Sequence, residues 1–213
     1  MKNKHYFLLL CVVAFSTIFS IFAFTGVDTG ISKIIMSYQI GDVAEDFELK
    51  NVDGKMVSLA DFEEAKGFIV IFTCNTCPVS VANEDRIIAL NEKYMDQGYP
   101  VIAINPNNPN ISSGDSYELM KVRAAEKGFS FPYLFDDGQQ VYPKYGASKT
   151  PHVYVLNKED NELIVRYIGS IDDSARNSGA VKTKFVENAV ESLSKGIPIE
   201  IPTTKAIGCS IKK

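Results

Sequence analysis

Four cysteines lie unevenly along the 213-residue chain, at positions 11, 74, 77 and 209. Two fall in the stretch FTCNTCP, residues 72–78, where Asn75 and Thr76 separate Cys74 from Cys77 and Pro78 follows. A Cys-X-X-Cys pair supports three kinds of chemistry. It can supply half of a tetrahedral metal site, close a structural disulfide, or cycle between dithiol and disulfide with other thiols. A structural bridge gains most from closing a long loop, and this loop is nearly the shortest. A metal site needs further donors, for which His152 and Cys209 are the candidates. The pair is expected to carry neither metal nor cofactor, and redox exchange is the chemistry its surroundings favour.

Those surroundings begin with GFIVIF, residues 67–72, a continuously apolar and β-branched run of the kind buried on both faces of a sheet. The pair follows it directly. After Pro78 the period changes: Val81, Ile88 and Met95 recur at heptad spacing, which predicts a helix running to about Gln97 and stopping at Gly98. Cys74 is then expected to open that helix as the exposed, nucleophilic thiol, with Cys77 one turn further in. Pro78 suits a first helical turn.

The remaining elements complete an α/β pattern. DFELKNVDGKMVSL, residues 46–59, turns at Asp53-Gly54 and reads as a hairpin. PVIAIN, residues 100–105, is a second buried strand, and Ser113 to Lys127 a second helix ending at Gly128. YLFDD and a short helix near Gln139–Tyr145 lead to TPHVYVL, which pairs through NKEDNE with LIVRYIG. An amphipathic helix places Phe185, Val186, Ala189, Val190 and Leu193 on one stripe. Strands joined by helices are parallel and the closing hairpin antiparallel, so one mixed sheet flanked by helices is expected. Thr150-Pro151 starts a central strand, a position where proline is often cis. It would lie at the same sheet edge as the cysteines.

Composition narrows partners. A formal charge of -4 with mixed signs and no basic run excludes a nucleic-acid surface. Lys2 and Lys4 precede the uncharged residues 6–24, the pattern of an export signal. Residues 1–25 therefore read as a signal peptide or N-terminal membrane anchor, with cleavage left open. Residues 26–38 follow as a linker, 39–196 as the domain, and 197–213 as an extended tail carrying Cys209. Export leads to the periplasm or cell envelope, where disulfides persist. Oligomeric state is not legible.

CNTCP at 74–78, TP at 150–151 and GDVAEDFEL at 41–49 together resemble the thioredoxin superfamily, in its redoxin branch of AhpC/TSA-type and TlpA-like proteins. The resemblance covers about residues 39–195. It implies a thioredoxin-like fold with an N-terminal β-hairpin extension. It also implies dithiol–disulfide exchange with protein substrates and an upstream redox donor, Cys74 as nucleophile, Cys77 as resolver, and a cis Pro151. Thr150 and Pro151 would contact a substrate strand. Two departures stand out: Thr73 replaces the usual aromatic before the first cysteine, and Ser80 stands where TlpA-like relatives often carry Glu. The buried acid near the pair is thus unassigned.

Two other activities share this fold. A peroxiredoxin needs Pro-x-x-x-Thr-x-x-Cys, and neither Cys74 nor Cys77 sits in that frame. A copper carrier would use Cys74, Cys77 and His152, although such carriers usually have three residues between their cysteines. Cys209 is a candidate third thiol. It reads either as a free thiol in a tail or as one that folds back onto the active-site face, to pair transiently with Cys74 or react with a partner.

Overall fold

The computed structural model describes residues 37–213. The expected signal or anchor, Cys11 and nearly all of the linker lie outside the described residues. Nine strands and five helices are numbered in chain order: β1 Glu48–Asn51, β2 Met56–Ser58, β3 Gly67–Phe72, α1 Pro78–Val81, α2 Glu84–Tyr94, β4 Val101–Asn105, α3 Tyr117–Lys127, β5 Tyr133–Phe135, α4 Tyr142–Tyr145, β6 Lys149–Thr150, β7 His152–Glu159, β8 Glu162–Gly169, α5 Phe185–Ser194 and β9 Cys209–Ser210.

Every residue of β3 and β4 is buried, which places both strands at the centre of a sheet covered on each face. Seven strands form that sheet in the order β2-β1-β5-β4-β3-β7-β8. β3, β4 and β5 run parallel. β7 lies antiparallel to β3, β8 antiparallel to β7, and the β1–β2 hairpin joins antiparallel to β5. This is the mixed sheet expected from the order of elements. Alternation along β3 divides the core: Phe68, Val70 and Phe72 face one apolar cluster with Tyr142 and Tyr145 of α4. Ile69 and Ile71 face the other, against Ile87 and Leu90 of α2 and Val186 and Val190 of α5. Each such side chain, fully buried, stabilises the fold by about 1.5–3 kcal/mol.

Two helices start differently from expectation. The run after Pro78 is broken at Ala82–Asn83, where the backbone N–H of Asn83 donates to Ser80 at 2.9 Å. The Asn83 side chain instead takes the Val79 carbonyl, at 2.7 Å, and reaches the Ala175 carbonyl at 2.8 Å. A side-chain amide that captures the carbonyl four residues back ends one helix and ties its end to a distant loop. The helix expected from Ser113 begins at Tyr117, because Ser116 is extended and Ser113–Asp115 forms a separate tight turn.

Candidate active site

Cys74 and Cys77 occupy the loop between β3 and α1. Contrary to expectation, Cys74 does not open a helix. The helix starts at Pro78, and Cys77 is its N-cap, with the Cys77 carbonyl accepting the Val81 N–H at 2.9 Å. Nor is Cys74 the exposed member, since both cysteines are 3% exposed. They pack with Val79 against Ala175 and Cys209.

Thr150 reaches both sulfurs. Its hydroxyl lies 3.2 Å from Cys74 Sγ, and its carbonyl accepts the Cys77 thiol at 3.1 Å. The Thr150-Pro151 peptide is cis. β3 ends and antiparallel β7 begins at the same sheet edge, with Phe72 opposite His152; this register brings residues far apart in sequence face to face. Ser80, fully buried, accepts from Cys74 Sγ at 3.9 Å.

The middle of the motif is held by a residue that sequence reasoning did not single out. Asp115 is completely buried. Its Oδ1 accepts the backbone N–H groups of Asn75 and Thr76 at 2.8 and 3.2 Å. Its Oδ2 accepts the Thr76 hydroxyl at 2.7 Å, the Asn107 amide at 2.8 Å and the Ser112 hydroxyl at 2.6 Å. A buried carboxylate is tolerated when its lone pairs are filled in this way. Asn75 donates to the Gly114 carbonyl at 3.0 Å and accepts from the Tyr133 hydroxyl at 2.9 Å. The close approach explains Gly114: a methyl there would stand 2.6 Å from Thr76 Cγ2. The signal available in the sequence was an Asp within a Ser/Gly turn before a helix, which reads as an ordinary cap.

Electrostatics divide the pair. Cys74 is pushed well above the usual thiol range, first by the Cys77 sulfur beside it, then by burial and by the charge of Asp115. Cys77 is pulled below that range, chiefly by its interaction with the Cys74 thiol, with the N–H groups of Ser80 and Cys209 contributing. The two sulfurs titrate as one unit: the first proton leaves readily, the second is retained. In the ionised pair the charge is favoured on Cys77, which the N–H groups of Ser80 and Cys209 face, and its donation to the Thr150 carbonyl belongs to the protonated form.

His152 lies in its strand, not among the sulfur contacts. It is buried, accepts the Ser148 N–H on Nδ1 at 3.4 Å and has its ring 4.9 Å from that of Tyr154. Burial pulls its pKa down to about 4. Among the described residues, no group of three His, Cys, Asp or Glu side chains is placed to hold a metal ion.

The tail does fold back. β9 pairs antiparallel with β6, Thr150 opposite Cys209. The Cys209 N–H donates to Cys77 Sγ at 3.4 Å. The edge expected to receive a substrate strand is thus occupied by the chain's own C-terminus. Among the described residues no helix is long and apolar enough to cross a membrane.

A parallel β3-β4-β5 core, an antiparallel closing hairpin and a cysteine pair facing the cis-proline turn define a thioredoxin-fold redoxin. Residues 40–168, more than half of the chain, match the AhpC/TSA family model, and the protein belongs to the AhpC/TSA family. It is 28% identical over 134 residues to the thiol-disulfide oxidoreductase ResA of Halalkalibacterium halodurans, covering 62% of this chain and 70% of that protein. The crystal structure of an uncharacterized conserved protein from Geobacillus kaustophilus superimposes with a TM-score of 0.75 at 34% identity, covering 83% of this chain and 93% of that one. The thioredoxin domain of a thiol-disulfide oxidoreductase from Bacteroides vulgatus shares the fold at a TM-score of 0.50 and 20% identity, over 62% of this chain and 91% of that one.

Proposed function

We propose that this protein is an extracytoplasmic thiol–disulfide oxidoreductase whose Cys74–Cys77 couple exchanges with protein thiols and disulfides. The observation that carries the reading is the contact of both sulfurs with Thr150, the residue before the cis proline. In the reducing direction, a thiolate of the couple attacks a substrate disulfide and forms a mixed disulfide, releasing one substrate thiolate. The second cysteine then displaces the substrate's other sulfur, leaving Cys74–Cys77 oxidised and the substrate carrying two thiols. An upstream dithiol donor restores the couple. Thr150 and Pro151 present backbone to the incoming strand once β9 leaves the edge it occupies. The relatives named thiol-disulfide oxidoreductase support the reaction class. Export and tethering to the periplasmic or cell-envelope side rest on residues 6–24.

Insulin reduction with a dithiol donor tests this, measured beside copper titration for the wild type, Cys74→Ser and Cys77→Ser. The expected result is reduction by the wild type, loss of turnover in both variants, and no tight copper binding. Tight copper binding that is lost in Cys74→Ser and Cys77→Ser, without exchange, would overturn it in favour of a metal carrier.

A further inference from the structure

The tail strand is not loosely laid on the site. On one side of Cys209, the Thr204 N–H donates to Ile168 at 2.9 Å and the Thr204 hydroxyl accepts the Ser170 N–H at 2.9 Å. On the other side Ile211 is buried, and the Lys212 carbonyl accepts the Asn108 N–H at 2.9 Å and the Gln139 side chain at 2.8 Å. Between these anchors Gly208 passes so close to Thr150 that a methyl group would overlap the Thr150 carbonyl. The clasp holds one sulfur, Cys209, against the Cys77 thiol. Cys209 is also the only half-exposed cysteine among the described residues, while Cys74 and Cys77 are buried.

We propose that Cys209 is a third redox thiol that exchanges disulfide with Cys77, so that β9 acts as an internal substrate strand. The inference rests on the redox reading of the Cys74–Cys77 couple and extends it. In the oxidised couple, the Cys209 thiolate attacks Cys77 Sγ. The Cys77–Cys209 bond forms, the Cys74–Cys77 bond breaks, and its electron pair leaves on Cys74, which takes up a proton. One disulfide and one thiol stand on each side, so no oxidant or reductant is consumed. The result moves the disulfide from two buried sulfurs to one that includes the accessible tail, where an external donor can reach it.

The charges around Cys209 time this step. Burial and the neighbouring Cys77 sulfur push the Cys209 thiol up, while Lys212 and Arg176 pull it down. Once Cys77 is in a disulfide it no longer bears charge, and one of the two upward pushes disappears. Cys209 becomes a nucleophile when the couple is oxidised and is a spectator when it is reduced.

The test uses full-length protein in a Cys11→Ser background, treated with glutathione disulfide at neutral pH. With Cys74→Ser added, Cys77 takes up glutathione and Cys209 displaces it. The expected product is one intramolecular Cys77–Cys209 disulfide, with no free thiol and no retained glutathione by mass spectrometry after digestion. Retained glutathione on Cys77, two persistent thiols, or a bridge only between chains would overturn the proposal. The parent Cys11→Ser protein is the control. If it forms Cys74–Cys77 and reduces insulin while the Cys74→Ser variant forms no internal bridge, only the third thiol fails. If the parent forms no disulfide and reduces nothing, the redox reading fails, and this proposal with it.

Discussion

The Asp115 carboxylate holds Thr76 at two points, its backbone N–H at 3.2 Å and its hydroxyl at 2.7 Å, and so fixes the centre of the cysteine motif from a turn before α3. Asn in its place keeps one acceptor oxygen but turns an amide toward hydroxyl and amide donors that themselves need acceptors. Asp115→Asn is expected to destabilise the reduced protein by roughly 3 kcal/mol, the scale of losing charge-assisted hydrogen bonds at a buried site. It also removes a charge that disfavours the Cys74 thiolate, so the Cys74 pKa comes down. Urea unfolding at pH 7 reads the stability change. A variant with wild-type stability would show that the clamp carries no weight.

The shared ionisation of the two sulfurs sets how the couple's potential depends on pH. With Cys77 below and Cys74 above the usual thiol range, the reduced form near neutrality holds one proton on two sulfurs. Reduction then takes up two electrons and one proton, giving a potential that falls by ~30 mV per pH unit, where two protons would give ~59 mV. Equilibration with glutathione from pH 6 to 8 measures the slope. The sign for stability agrees: between the lowered folded value and the ordinary thiol value the unfolded chain binds the extra proton, so the Cys77 contribution grows as pH rises through that window.

Gly208→Ala is expected to lift β9 from β6 without unfolding the main sheet, because the overlap it creates is with the Thr150 carbonyl and the Pro151 nitrogen, where the tail crosses β6. Freed of its strand, Cys209 should react with iodoacetamide at least tenfold faster than in the parent protein, while urea unfolding of the domain changes little. Unchanged labelling would mean that the tail already leaves the edge in solution.

These relationships differ in how far the sequence announces them. β3 and β4 are legible because residues buried on both faces must all be apolar, and α2 and α5 because an apolar stripe has a helical period. Thr150-Pro151 is legible because proline is excluded from the interior of a central strand and so marks its start. The break at Asn83 is not, since it depends on a side-chain amide finding both Val79 and a loop carbonyl at Ala175. Asp115 is hidden for a similar reason: nothing in a Ser-Gly-Asp turn marks the carboxylate as facing inward to a motif far upstream. The place of Cys209 depends on a two-residue strand, too short for any periodicity, and on Gly208, whose lack of a side chain matters only once the partner is known.

His152 supplies the last prediction, because its burial has a thermodynamic sign. The ring's pKa is about 4 in the fold against 6.5 for the free side chain. Between these values the unfolded chain carries the proton and the folded one does not, so stability rises with pH there. Its contribution is complete above pH 6.5 and is lost as pH falls toward 4, amounting to about 3 kcal/mol over that window. Other groups titrate in the same range, so the difference between wild type and His152→Leu isolates the ring. The gap in unfolding free energy between the two should shift by about that amount, in favour of the variant, from pH 7 to pH 4. A gap independent of pH would mean that the ring titrates in the fold as it does in the unfolded chain, and that the Ser148 N–H does not hold Nδ1 as an acceptor.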